Sequence, residues 1–115
     1  MLLRIIKNPV KLETEKLLKQ LQGIEGAENI LEAVKKLDEA IKTQPVDERL
    51  YFMRAEFFYK LNRYGAAIND YNKVVELNPG NKEASGKIDI IKTILRYNNT
   101  DIYANPNTDM DPWLE

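Results

Sequence analysis

Pro45 and Pro79 stand 34 residues apart, and the residues ahead of each proline repeat in register. Ala33 aligns with Ala67, Val34 with Ile68, Leu37 with Tyr71, Ala40 with Val74 and Ile41 with Val75. A self-similarity of this period, carried by apolar residues at helical spacing, marks stacked helix–turn–helix units. One such unit cannot bury its apolar face alone, so each must cover its neighbour. The expected product is a small all-α interaction surface, and the period by itself does not say what that surface binds.

Helix boundaries follow from capping and turn chemistry. Asn8-Pro9 reads as a start, with a capping side chain followed by proline at the first helical position. Leu17, Leu18, Leu21 and Ile24 make the buried stripe of the first helix, and Gly23 and Gly26 bracket its end. The second helix is expected over 27–43, with Ile30, Leu31, Val34, Leu37, Ala40 and Ile41 as its stripe, until Pro45 stops it. Asp47 can cap a third helix over about 48–61, and Asn62-Arg63 makes a tight turn. A fourth helix over 64–77 buries Ile68, Tyr71, Val74 and Val75. Asn78-Pro79-Gly80 ends it, and Asn81 can cap a fifth helix over 82–97. Residues 98–115 have four asparagines, two prolines, four acids and no helical period, which reads as an extended tail.

Composition removes several classes of chemistry. The 115 residues include no cysteine and no histidine. Disulfides, thiolate metal sites and cysteine nucleophiles are therefore excluded, along with the commonest general base and zinc ligand. There is no glycine-rich phosphate loop. Asn107, Asp109 and Asp111 alternate like the first ligands of a calcium loop, but Pro112 follows where that loop needs glycine. Asn98-Asn99-Thr100 fits a glycosylation sequon, a pattern too short to carry weight. Asp38-Glu39 and Asp47-Glu48 are neighbouring carboxylates whose side chains point apart on a helix, so they read as solvated surface. The expectation is a protein without cofactor, metal or catalytic residues.

Charge is unevenly spread. Residues 98–115 carry Asp101, Asp109, Asp111 and Glu115 with no cation, whereas residues 1–97 carry an excess of three positive side chains. That excess is too weak and mixed for nucleic acid. No apolar run approaches the roughly 18 residues of a membrane span. Met1–Lys7 is apolar but interrupted by charge, a poor signal peptide. The expectation is a cytoplasmic protein with a protein or peptide partner, no nucleic acid and no membrane.

Residues 48–81 closely resemble a tetratricopeptide repeat. Tyr51 is its first large residue, Ala55 a small one, Phe58 an aromatic, Ala67 the second small one, Tyr71 the second aromatic and Pro79 the closing proline. Two antiparallel helices pack closely only where Ala55 and Ala67 leave room, so these two should face each other. Arg54 stands where leucine is commoner and is expected to bury its stem and free its head. The unit before it matches only in its second helix: Leu21 falls where a small residue is usual. The fifth helix keeps Ala84, Ile88, Ile91 and Leu95 for packing and looks like the helix that closes such arrays. The resemblance implies an all-α, two-repeat right-handed solenoid, with repeats over about 12–46 and 48–81, a capping helix over 82–97 and an acidic tail over 98–115.

It also implies a concave groove lined by the first helix of each pair. Arg49, Phe52, Met53, Glu56, Tyr59 and Lys60 would face it from the third helix, and Glu83, Ile90, Thr93, Ile94 and Tyr97 from the fifth. Arg49, Phe52, Met53, Glu56, Tyr59, Ile90, Ile94 and Tyr97 are the candidate partner-binding residues, with Phe52, Tyr59, Ile90 and Tyr97 expected to be substantially exposed. Some members of the family grip a terminal carboxylate with Lys, Asn and Arg. Met53 and Glu56 occupy places where such a clamp wants Asn, so the clamp does not carry over. The function this implies is non-catalytic protein–protein interaction, with a peptide or partner helix in the groove. An alternative is self-association through the outward face of the fifth helix and the tail, since two repeats fall below the number usually needed for stability. Trp113, with Ile102, Tyr103, Met110 and Leu114, suggests a tail that docks on apolar surface.

Overall fold

The computed structural model describes the backbone of residues 9–102, and among these residues every regular element is an α-helix. The helices are α1 (Pro9–Leu21), α2 (Ala27–Thr43), α3 (Glu48–Lys60), α4 (Tyr64–Leu77) and α5 (Lys82–Ile102). The expectations placed on Trp113, Tyr103, Met110 and Leu114, and on Asn107, Asp109 and Asp111, fall outside the described residues.

Local chemistry sets the boundaries. After α1 the chain reverses through Gly23 and Gly26, both at positive φ, which costs a residue without Cβ nothing sterically. The Asp47 carboxylate accepts from the Arg49 backbone N–H at 3.1 Å and caps α3. Asn62 turns the chain between α3 and α4 at φ 61°, a conformation that asparagine tolerates better than most residues. The Asn81 side chain accepts from the Ala84 N–H at 2.9 Å and caps α5.

At its other end α5 departs from expectation. It continues through Asn98 to Ile102, beyond the tail boundary expected at Asn98. Asn, Thr and Asp are weak helix formers, each costing less than about 1 kcal/mol, and no proline intervenes before Pro106. Poor propensity alone does not stop a helix already nucleated by packing.

The core forms two clusters that meet at α3. One joins Tyr51 and Ala55 of α3 with Ala67, Ile68, Tyr71 and Val74 of α4 and Ala84, Ile88 and Ile91 of α5. The other joins Leu21 of α1, Ile30, Ala33, Val34 and Leu37 of α2, and Leu50 and Phe57 of α3. Ala55 and Ala67 are both fully buried, and α3–α4 is the most extensive helix pairing in the molecule. Both alanines lie in the cluster these two helices share.

Two details of the stripes differ from the sequence reading. Leu31 is 39% exposed, and Ala33 takes the buried place beside Val34, because α2 turns its face toward both α1 and α3. Leu50 and Phe57, absent from the expected stripes, are buried at 0% and 4%. They lie seven residues apart on one face of α3, which is covered on one side by α4 and on the other by α1 and α2.

Arg54 also departs from expectation: its head is not free. Its guanidinium makes a two-pronged pair with Asp70 of α4, Nε to Oδ2 at 2.8 Å and Nη2 to Oδ1 at 2.9 Å. Nη1 reaches Asp38 of α2 at 2.6 Å. Asp38 is therefore a partner in a charged triad rather than simply solvated surface. One cation links three successive helices and lies near the rings of Tyr51 and Phe58. The bond to Asp70 holds the Arg54 guanidinium above its ordinary range. Burial pushes the Asp70 carboxyl up, against the pull of Arg54. Desolvation thus consumes much of the pair's attraction, and its larger contribution is to fix how α2, α3 and α4 meet.

Candidate functional site: a groove along α3

A groove of about 430 Å³ runs along the outward face of α3. The floor is Phe52, Met53 and Phe57 of α3. Leu18, Leu21 and Gln22 from the end of α1 form one wall, and Asn81 and Glu83 at the start of α5 form the other. Glu48, Arg49, Glu56 and Lys60 set its charge. α1 runs alongside α3 in the same direction: Glu15 meets Arg49 at 3.6 Å near the start of α3, and Lys60 donates to the Ile24 carbonyl at 3.4 Å near its end.

Of the candidate residues, Arg49, Phe52, Met53 and Glu56 come together here, with Lys60 and Glu83. Phe52 is half-buried rather than substantially exposed, because its ring packs edge-on against Tyr71 with centroids 5.6 Å apart. Tyr59 is also half-buried and does not line the groove. It packs edge-on against Tyr64, and the Lys87 ammonium sits 4.3 Å from its ring centre. Ile90 and Tyr97 are exposed, at 47% and 76%, while Ile94 is half-buried. These three stand on α5 away from the groove lining.

The sequence reading missed the contribution of α1 and the Glu48 end of the groove. Leu21 was the available signal. A large residue where a small one is usual holds a helix off its neighbour and leaves a wall for the adjacent face.

The charged groups are unequally partnered. Arg49 is held by Asp47 at 2.8 Å and by Glu15, and the hydrogen bond to Asp47 raises its pKa. Lys60 pairs loosely with Glu25 at 3.8 Å. Glu56 accepts from the Tyr71 hydroxyl and lies 3.6 Å from Lys87. Burial, and then the bond to Glu56, pushes the Tyr71 phenol well above its ordinary 10.0. Glu48 accepts from the Asn78 amide at 3.0 Å, which leaves its Oε1 buried and without a donor. Neither Glu48 nor Glu83 pairs with a cation among the described residues. Nor do those residues hold a cluster of three or more acids able to grip a metal ion. No described helix is long and apolar enough to cross a membrane.

Comparison with known proteins agrees with this architecture. The family model described as "YpiA-like, tetratricopeptide repeats" matches residues 20–78. A curated relative, "Serine/threonine-protein phosphatase T" of Trypanosoma brucei brucei, is 30% identical over 59 residues, which is 51% of this chain but only 12% of that protein. No solved structure matches. With the period, the buried alanines of the core and the family model in agreement over the same helices, the chain belongs to the YpiA-like tetratricopeptide repeat family.

Proposed function

We propose that this domain is a non-catalytic protein-binding module that takes a peptide or a partner helix into the groove along α3. The observation that carries the reading is an open apolar floor, Phe52 and Met53, rimmed by charged groups whose positions are fixed by neighbouring helices. A concave, half-buried apolar surface with a few convergent polar groups is the usual form of a binding site. Arg49, Phe52, Met53 and Glu56 are the binding residues of this reading. The phosphatase relative shares too little of its length with the chain to lend it an activity.

Exposure of Ile90 and Tyr97 favours a second reading, in which the outward face of α5 joins two copies. One experiment separates the two. Peptides selected by display against the full chain are added to labelled protein, and the amide shifts are mapped. Shifts at Arg49, Phe52, Met53 and Glu56 are expected. Shifts confined to Ile90, Ile94 and Tyr97, with sedimentation reporting a dimer, would replace the groove reading with self-association.

A further inference from the structure

The groove's own charges are not balanced within it. Each of its two cations already has a resident carboxylate: Arg49 has Asp47 and Glu15, and Lys60 has Glu25. Of its three acids, Glu56 has Lys87, while Glu48 and Glu83 have no cation among the described residues. Both stand at the same end, in the first turns of α3 and α5. The helix N-termini favour negative charge there.

We infer, on the basis of the groove reading above, that the partner is a peptide presenting a lysine or arginine beside apolar side chains. The apolar side chains would cover Phe52 and Met53, and the cation would reach Glu48 and Glu83. A ligand led by a carboxylate would meet two like charges instead, and like-charge contacts are how an interface rejects the wrong partner. The site is in this respect the reverse of a carboxylate clamp. The chain carries one segment of the same chemistry, Leu2-Leu3-Arg4-Ile5-Ile6-Lys7, just ahead of α1. At ~3.3 Å per residue it is long enough to reach the groove, so it is a competitor that the test must distinguish.

The test uses two labelled, end-blocked peptides with the same leucines and isoleucines, one carrying two lysines and the other two glutamates in their place. Each is titrated by fluorescence anisotropy against the full chain, at low and at high salt. The lysine peptide should bind about tenfold more tightly at low salt, the effect of two partly exposed ion pairs. High salt, or Glu48→Gln with Glu83→Gln, should erase the difference while binding persists. If the two peptides bind equally and Met53→Glu weakens both, the groove reading stands and the charge inference falls. If Met53→Glu changes neither, the groove reading itself falls. If the lysine peptide binds only after Arg4→Glu with Lys7→Glu, the occupant is the chain's own amino-terminal segment and the partner assignment is overturned.

Discussion

The α3–α4 unit and the α1–α2 unit share a period but not a packing mode. In α3–α4, Ala55 and Ala67 are both fully buried in one cluster, and the two helices touch along much of their length. In α1–α2, Leu21 stands where Ala55 stands in the other unit, opposite a buried Ala33, and α1 touches α2 only sparingly. One side chain accounts for much of the contrast. Leucine fills the gap that would otherwise let the backbones approach, so α1 is held at arm's length, bonded to α3 as much as to α2. The closed unit provides stability. The open unit provides a wall, and the groove lies between that wall and α3. The comparison teaches that a divergent repeat is not merely a weakened one: its first helix still supplies a wall of the groove.

The largest predicted effect concerns the staple that aligns the closed unit with its neighbour. Arg54→Leu should strand Asp70, whose side chain is only 8% exposed, and destabilise the fold by about 3–5 kcal/mol. Arg54→Leu combined with Asp70→Leu should recover most of that loss in chemical denaturation, since desolvation already offsets much of the pair's attraction. A double variant as unstable as the single one would show that the pair contributes stability outright rather than alignment.

Next comes the alanine contact. Ala67→Leu should overpack α3 against α4 and cost about 1–3 kcal/mol. Ala33→Leu, the matching change in the open unit, should cost less, because α1 can shift outward. Equal losses in melting temperature would mean the two units are packed alike.

Tyr71 supplies a pH test with the same logic. Its counterpart in the open unit is Leu37, which cannot ionise. Because folding raises the Tyr71 pKa above 10.0, its contribution is intact below that pH and is lost as pH rises toward the higher folded value. Stability should fall by about 1 kcal/mol per pH unit above 10.0 from this group. Tyr71→Phe should flatten that slope; an unchanged slope would place the alkaline sensitivity elsewhere.

The smallest effect is expected at the rim. Glu15→Gln removes a long ion pair to Arg49 between half-exposed side chains and should change stability by about 0–0.5 kcal/mol. A larger loss would mean that charge, rather than Leu21, holds α1 in place.

Much of this architecture was legible in the sequence. Helix boundaries were readable because caps and turns are local: Asp47, Asn62 and Asn81 act on backbone a few residues away. The register at Ala55 and Ala67 was readable because the resemblance placed it. Features that depend on more than two helices were not. Leu50 and Phe57 look like a second apolar face until α1 and α2 are seen to cover it. Arg54 looks like a surface cation until Asp38 and Asp70 arrive from two other helices. The sequence named the floor of the groove, Phe52 and Met53, but not its α1 wall, because the first unit matches the repeat only in its second helix and its α1 positions were not assigned.

Native-state hydrogen exchange on the full chain, read amide by amide, tests the contrast between the two units most directly. Amides of α1 should exchange through a local opening at least about 2 kcal/mol below the global unfolding free energy, while those of α3 and α4 exchange only on global unfolding. Protection of α1 equal to that of α3 and α4 would contradict the account. It would show one uniformly closed stack, with no open unit beside α3.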